Sequence, residues 1–528
     1  MRPTVAHLSP NAWRRLGQAA FFGLVLVLFL QTDYAGVDEL SWAVNALFRI
    51  DPFLAVSAML AGKTVIVLMV PAVITVLLTL IFGRFFCGWV CPLGSLIDAS
   101  RRLFGPPAAS PGPGWIRLKY LLLLFVLTAS WCGLPLAGVI DPFSLLVRAL
   151  TFALQPALDF GAATIFTWTY QHAPVWVNEL TEPLFLLMKK TVLPFTGKVY
   201  TLSVVSLLLL LAVLGLSRLE RRFFCRNLCP LGAMLALCAR FAPFRLAGGS
   251  AECGSCGQCR SVCRMGAITE ERGIDPAECI LCLDCLSLCP RSRIEYGRRP
   301  ANVGRPVPDL SRRALVTSLA AGALAPLVLP SRPLARHADP TLVRPPGALA
   351  EKDFLARCVR CGECMKVCIG NALHATGFEA GLEGLFTPRL LGRVGYCEYN
   401  CTLCGQVCPT GAIRTLTRAE KHDTVIGRAH FDKNRCLPYA AGTPCIVCEE
   451  HCPTPDKAIK FREALVVNSR GEQVSLMQPY VVETLCIGCG ICENRCPLSG
   501  AAAVLVTSAG ESRGTADLRV LESSSKCS

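Results

Sequence analysis

Charge is scarce along this chain: Asp, Glu, Lys and Arg together make up 17% of its 528 residues, against 52% hydrophobic residues. That balance argues against an ordinary water-soluble enzyme and points to a membrane protein with soluble parts. Histidine is scarcer still, with seven copies and none inside an apolar run of membrane-spanning length. Its absence there argues against b-type haem and against a histidine base at membrane depth. No Cys-x-x-Cys-His occurs, which removes c-type haem, and no Ser/Thr-Gly-Ala-Thr stretch offers a flavin attachment. A single basic face is missing too. The net charge of +15 comes from arginine clusters that flank apolar segments, a membrane-topology pattern rather than a nucleic-acid one.

Cysteine is what the chain has in excess. Thirty-one copies are too many for core use, and the chain is too long for a small disulfide scaffold. Near the middle they read Cys253-x2-Cys256-x2-Cys259-x3-Cys263 and Cys279-x2-Cys282-x2-Cys285-x3-Cys289-Pro290. This is the bacterial ferredoxin run, in which three close thiolates hold one [4Fe–4S] cube and the fourth crosses to the other cube. Cys253, Cys256, Cys259 and Cys289 would hold one cluster, and Cys279, Cys282, Cys285 and Cys263 the second. A later array carries four more quartets. Cys358, Cys361, Cys364, Cys368 and Cys486, Cys489, Cys492, Cys496 keep ferredoxin spacing. Cys397, Cys401, Cys404, Cys408 has one extra residue in its first gap, and Cys436, Cys445, Cys448, Cys452 a longer insertion there. The x2-x2-x3 runs disfavour zinc ribbons, which need isolated Cys-x2-Cys pairs.

Four apolar runs precede the central module, at 16–30, 64–82, 120–140 and 199–216. Each is near the ~20 residues a bilayer core requires. Arg84, Arg101, Arg102, Arg117 and Lys119 follow the second run, and Arg218, Arg221, Arg222 and Arg226 the fourth. The positive-inside rule puts those loops and the N-terminus in the cytoplasm. This half is duplicated: Ile50-Asp51-Pro52-Phe53 returns at 140–143, and Phe85-Phe86-Cys87-Gly88-Trp89-Val90-Cys91-Pro92 returns at 223–230. An insertion over about 151–198, rich in Trp, Tyr and Pro, is expected at the outer membrane surface. A twofold relation between the copies would bring Cys87, Cys91, Cys225 and Cys229 into one site for a seventh cluster or another metal. Ser311-Arg312-Arg313 opens a mild apolar run at 314–330, expected as a fifth span that carries the following array outside.

The domain reading is therefore a tail at 1–15, membrane repeats at 16–105 and 116–245, a dicluster ferredoxin at 246–298, a linker at 299–313, the span 314–330, a four-cluster domain at 347–507 and a tail at 508–528. The fold class is an α-helical membrane domain of duplicated two-span units plus α+β ferredoxin-like domains. Cys132, Cys238 and Cys527 remain, read as inert.

Residues 16–298 resemble the NapH-type membrane polyferredoxin of periplasmic nitrate reductase systems. They share its four spans, two Cys-x3-Cys-Pro motifs and terminal ferredoxin. Residues 312–507 resemble the NapG-type soluble partner, through the twin-arginine leader, Arg344-Pro345-Pro346-Gly347-Ala348 and Cys358-Val359-Arg360-Cys361-Gly362. The resemblance implies a multi-pass protein of the bacterial inner membrane, with the central ferredoxin cytoplasmic and the C-terminal polyferredoxin periplasmic. Electrons would pass from the quinol pool to a periplasmic reductase or cytochrome, as part of a larger complex. By analogy with four-cluster subunits, the outer quartets would exchange fourth ligands, Cys368 with Cys496, and the inner ones Cys408 with Cys452. Two positions depart from the pattern, since Arg264 and Ile369 replace the proline after Cys263 and Cys368. An alternative is a redox donor in metalloenzyme assembly, or the same conduit run towards quinone. Quinol oxidation also releases protons. The candidate acceptors are Asp51 and Asp141, then Glu179, Glu182, Asp98 and His172, although Asp-Pro at a helix start is also an ordinary N-cap.

Overall fold

The structure, a computed structural model, describes residues 10–34, 36–40, 44–105, 115–194, 197–247, 256–269, 273–289, 293–298, 310–328, 339–467 and 470–513. Cys253, Cys527, most of the expected linker at 299–313 and most of the final tail lie outside these residues. The chain divides into two units.

The first unit comprises Met1–Gln31, Val44–Leu150 and Val204–Val328. Its helices begin where the sequence supplies caps. Asp51 accepts the amides of Phe53 and Leu54 at 2.8 and 3.1 Å and Pro52 takes the first turn, so Pro52–Gly62 starts there. Asp141 does the same for Pro142–Ala149 through Ser144, at 2.8 Å. Each Cys-x3-Cys loop is a single π-helical turn, Phe86–Val90 and Phe224–Leu228, and a Pro-led helix follows, Pro92–Phe104 and Pro230–Ala239. The central ferredoxin closes with antiparallel strands Phe244–Ala247 and Glu295–Arg298.

Helix Arg312–Val328 lies along Ile116–Trp131, and Ser318 Oγ donates to the Leu121 carbonyl at 2.7 Å. The two helices touch backbone to backbone at Gly322. A Cβ there would meet Thr128 Oγ1 at 1.8 Å and the Phe125 carbonyl at 2.7 Å. Gly322→Val should therefore force the pair apart and cost about 1–3 kcal/mol, the range for overpacking. Thermal unfolding followed by helical signal measures it; an unchanged midpoint would refute this packing.

Among the described residues, two helices are long and apolar enough to cross a membrane, Pro10–Gln31 and Pro142–His172. The first coincides with an expected span. The second does not: it runs on through a π turn at Leu150–Leu154 into residues expected at the membrane surface. Asp141, which ends the apolar run at 120–140, is the N-cap from which this helix starts. The helices at the other expected spans are shorter: Val67–Phe82, Ile116–Trp131, Ser203–Arg218 and Arg312–Val328.

The second unit joins Thr32–Ala43 and Thr151–Ser203 to everything after Leu329. Helices Gln155–His172 and Val175–Thr191 form a hairpin, with the Phe166 and Phe185 rings 4.7 Å apart. Strand pairs Leu373–Ala375 with Pro388–Leu390, Arg428–Phe431 with Val504–Thr507, and the longer Ile459–Val467 with Gln473–Val481 are all antiparallel. Its core of Phe354, Met365, Val367, Leu403, Val407, Ile413 and Val504 is interleaved with cysteines. Arg344, from the Arg-Pro-Pro-Gly stretch, is buried and binds Glu351, Thr387 and the Pro388 carbonyl; Arg513 reaches the same Glu351 at 2.8 Å. Burial alone would push the Glu351 carboxyl up, but Arg344 and Arg513 together hold it below the ordinary glutamate range. Such a depressed carboxyl stabilises the fold fully above its unfolded value of about 4.3 and loses that contribution as pH falls through its lower folded value. Hydrogen-exchange protection at 344–351 should stay flat from pH 7 to about 5 and drop below about 4. Protection that rises on acidification would contradict the ion pairing.

Candidate iron–sulfur sites

A cube needs three thiolates aimed at one small object, and the chain supplies the aim with a tight loop before a one-turn helix. Helices Glu363–Lys366, Leu403–Gln406, Val447–Glu450 and Ile491–Arg495 each carry the third cysteine of a quartet. Gly362 and Gly490, with φ of +86° and +81°, make the left-handed step that starts two of them.

The fourth cysteine of each quartet turns its sulfur back toward a backbone amide. Ala372, Ile413, Ala458 and Ala503 donate to Cys368, Cys408, Cys452 and Cys496 at 3.3–3.4 Å, and Ala267 donates to Cys263 at 3.2 Å. Amide bonds to ligand sulfurs are one of the levers that set a cluster's potential.

The ligand exchange differs from the four-cluster analogy. Cys408 lines one hollow with Cys358, Cys361 and Cys364. Cys368 sits instead with Cys397, Cys401 and Cys404. In the second half Cys452 joins Cys486, Cys489 and Cys492, and Cys496 faces Cys436 beside Cys445 and Cys448. Exchange is thus between quartets adjacent in sequence, each outer quartet with its inner neighbour, and not outer with outer and inner with inner. The reason is packing, since Glu363–Lys366 abuts Leu403–Gln406 and Val447–Glu450 abuts Ile491–Arg495. The two halves meet where the Cys397 amide donates to the Cys489 carbonyl at 2.8 Å. The spatial order is therefore the Cys358 set, the Cys397 set, the Cys486 set and the Cys436 set.

In the central module Cys263, Cys279, Cys282 and Cys285 line one hollow, as the spacing implies. Cys256, Cys259 and Cys289 are described and Cys253 is not. The four cysteines of the duplicated motif also converge. Cys91 and Cys229 each lie within electrostatic reach of both Cys87 and Cys225, and Cys87 and Cys225 pack against Met265, Ile280 and Cys282 of the ferredoxin.

Two arginines that sequence reasoning used only for topology organise this convergence. Arg84 and Arg222 hold the same place in the two copies, one before each Phe-Phe-Cys, and both are fully buried. Each reaches across: Arg84 packs over Gly232 of the second copy, and Arg222 over Gly94 of the first. Arg84 also approaches Cys87 Sγ at 3.9 Å and binds the Ala277 carbonyl at 2.9 Å, while Arg222 binds the Cys87 carbonyl at 3.1 Å and Asp98 at 2.8–2.9 Å. Their matched position in the repeat was the available signal. The copies differ at one telling place. A Cβ on Gly88 would lie 2.0 Å from the Ile280 carbonyl, and its counterpart Arg226 instead lies over Gly266.

Burial pushes these thiols up, Cys225 to about 11 and Cys285, Cys401, Cys448 and Cys489 to about 12. Thiols held so high ligate only when a strong positive centre displaces their protons, so metal loading and folding are linked. None of the described cysteines is disulfide-bonded. Among the described residues no three His, Cys, Asp or Glu side chains close on a single-ion site. Thiolate triads with a crossing fourth sulfur and amide donors fit [4Fe–4S] cubes.

The remaining candidates fall apart spatially. Asp51 and Asp141 are fully buried and their carboxyls meet each other. Glu179, Glu182 and His172 are exposed on the hairpin. Asp98 lies under three guanidiniums, those of Arg14, Arg222 and Arg264.

Cysteine sets of this kind define an iron–sulfur electron-transfer protein of the ferredoxin type. The family described as 4Fe-4S binding domain matches residues 64–107 and again 202–247, one match per copy of the repeat, and the family described as NosR matches 251–293. The methylamine utilization ferredoxin-type protein MauM of Methylophilus methylotrophus is 39% identical over 178 residues, which is 33% of this chain and 74% of that protein. MauM of Paracoccus denitrificans is 34% identical over 209 residues, 39% of this chain and 88% of that one. The ferredoxin-type protein NapG of Haemophilus influenzae is 35% identical over 171 residues, 32% of this chain and 59% of that one. This chain belongs to the ferredoxin-type family that includes MauM and NapG. No solved structure matches it.

Proposed function

We propose that the chain is a membrane-bound electron conduit that oxidises a quinol and passes electrons through seven [4Fe–4S] cubes to a periplasmic reductase or cytochrome within a larger redox complex. In this reading a NapH-like membrane part is fused to a NapG-like polyferredoxin. The observation that carries it is the convergence of Cys87, Cys91, Cys225 and Cys229 beside the Cys279 set. That arrangement supports a first electron acceptor at the membrane helices with the next site in contact. The make-up of the two units supports the topology. The basic Cys-x3-Cys loops go with the central ferredoxin, while 32–40 and 151–203, outer loops by the positive-inside rule, go with the polyferredoxin.

When bound, the cubes supply one-electron transfer, and the chain's own residues do the rest. Arg84 and Arg222 place positive charge beside the membrane site and hold the two copies in register. Asp51 and Asp141, a dry carboxyl pair, are the proton acceptors in this reading. The test adds a reduced quinol analogue to anaerobically purified protein and follows the visible cluster absorbance. Bleaching at catalytic rates is expected; absorbance that responds to dithionite but not to quinol would overturn the reading.

A further inference from the structure

Between helices Pro10–Gln31 and Pro92–Phe104 lies a cavity of about 770 Å³. Its walls are apolar, from Ala19, Phe22, Leu96 and Ala99, and its floor is polar, from Arg14, Gln18, Asp98 and Arg264. An apolar slot with a few convergent polar groups is the usual form of a small-molecule site. The floor is unusually well built. Arg14 is 1% exposed, and its guanidinium binds Gln18 at 3.1 Å, Asn11 at 3.3 Å and Asp98 at 3.5 Å, yet its Nε–H has no partner among the described residues. Gln18 Nε2 donates to Asp98 at 3.5 Å. Arg222 and Arg264 bind the same Asp98, so the polar side is a fixed cluster of guanidiniums around one carboxylate, suited to a ligand with oxygens at one end.

The floor also touches an iron–sulfur site. Arg264 stands where most of the other fourth cysteines are followed by proline, directly after Cys263. It pairs with Asp98 and with Asp284, and Asp284 lies between Cys282 and Cys285. Arg14 approaches the same Asp284 at 3.9 Å. The departure from the motif thus ties the cavity floor to the loop that holds the Cys279 set.

We infer that this cavity binds the quinone or quinol headgroup, its ring between Phe22 and Leu96 and its oxygens toward the polar side formed by Arg14, Gln18, Asp98 and Arg264. The site rests on the quinol reading above and assigns it a place. Asp98 and Asp284 offset two of the three guanidiniums gathered there, those of Arg14, Arg222 and Arg264, which leaves one positive charge to face the oxygens of a headgroup. Arg15 and Arg101, at other points of the lining, would meet an anionic lipid instead.

Ala19→Trp and Ala99→Trp fill the slot from two different helices and leave the charged floor intact. In full-length, cluster-loaded protein, equilibrium dialysis with a short-tailed benzoquinone and a short-tailed naphthoquinone should show binding weakened by more than about tenfold in both variants. Iron content should equal that of wild type, which separates a blocked site from a misfolded protein. If wild type is bleached by quinol and both iron-replete variants bind and bleach as well as wild type, the site is wrong and the conduit stands. If wild type neither binds quinone nor bleaches, both fall. If lipid extraction finds a phospholipid retained by wild type and lost from the variants while quinone binding is unchanged, the cavity is a lipid site and the inference is overturned.

Discussion

Serine at Cys408 should abolish the cube held by Cys358, Cys361 and Cys364 while leaving the Cys397 set with all four of its ligands. Crossed ligation makes the result diagnostic. Cys408 is eighth in sequence within the array, but its sulfur lines the first hollow. The expected loss is about one cube, near 4 Fe per chain, or conversion to a three-iron form with a distinct paramagnetic signal. Cys368→Ser should instead strike the Cys397 set. The outer-with-outer arrangement predicts that Cys496→Ser damages the Cys358 set; the structure puts that damage in the Cys436 set. Signals assigned by such a serine series would separate the two arrangements, and loss from the Cys358 set on replacing Cys496 would refute the one described here.

Asparagine at Asp33 should destabilise the second unit by about 3–5 kcal/mol, the usual result of stripping one partner from a buried ion pair. Asp33 receives Lys198 Nζ at 2.7 Å and Lys366 Nζ at 3.3 Å, with Gln155 Nε2 also at 3.3 Å. Both ammoniums are buried, and burial together with Lys198 pushes Lys366 down to about 8 against the pull of Asp33. Without Asp33, two like charges face each other out of water. The same cluster fastens 32–34 and 198–200 to the helix that carries Cys364, and Tyr200 Oη adds a bond to the Met365 carbonyl at 3.2 Å. Asp38 makes the parallel attachment to the helix of Cys404, accepting the Thr402 amide at 2.8 Å. Denaturant unfolding of Asp33→Asn, alone and with Lys198→Met, measures the effect. The double variant should regain much of the loss, because one unpaired charge has gone. A single variant as stable as wild type would contradict the buried pairing.

The cysteine chemistry was legible in the sequence because ligand spacing is local: three thiolates within seven residues are set by one loop. The duplication was legible too, since Asp-Pro caps and Cys-x3-Cys-Pro loops recur residue for residue. What failed was information carried by packing. Which fourth cysteine crosses to which triad depends on which one-turn helices abut, and Glu363–Lys366 chose its sequence neighbour. The helix Pro142–His172 was hidden because Asp141 reads as the end of an apolar run when it is the cap that begins the next helix. Arg84 and Arg222 read in sequence as topology markers, and only packing shows that their guanidiniums cross between the copies. Asp33 and Asp38 carried no signal at all, since single acidic residues after an apolar run announce no partner more than 300 residues away.

Iron and acid-labile sulfide counting on anaerobically purified protein tests the central claim, a chain of thiolate-held cubes that includes the duplicated membrane site. The account predicts about 28 Fe and 28 sulfide per chain. About 24 of each would leave the Cys87, Cys91, Cys225 and Cys229 site without a cube and remove the proposed entry point. Zinc in place of iron would contradict the conduit altogether.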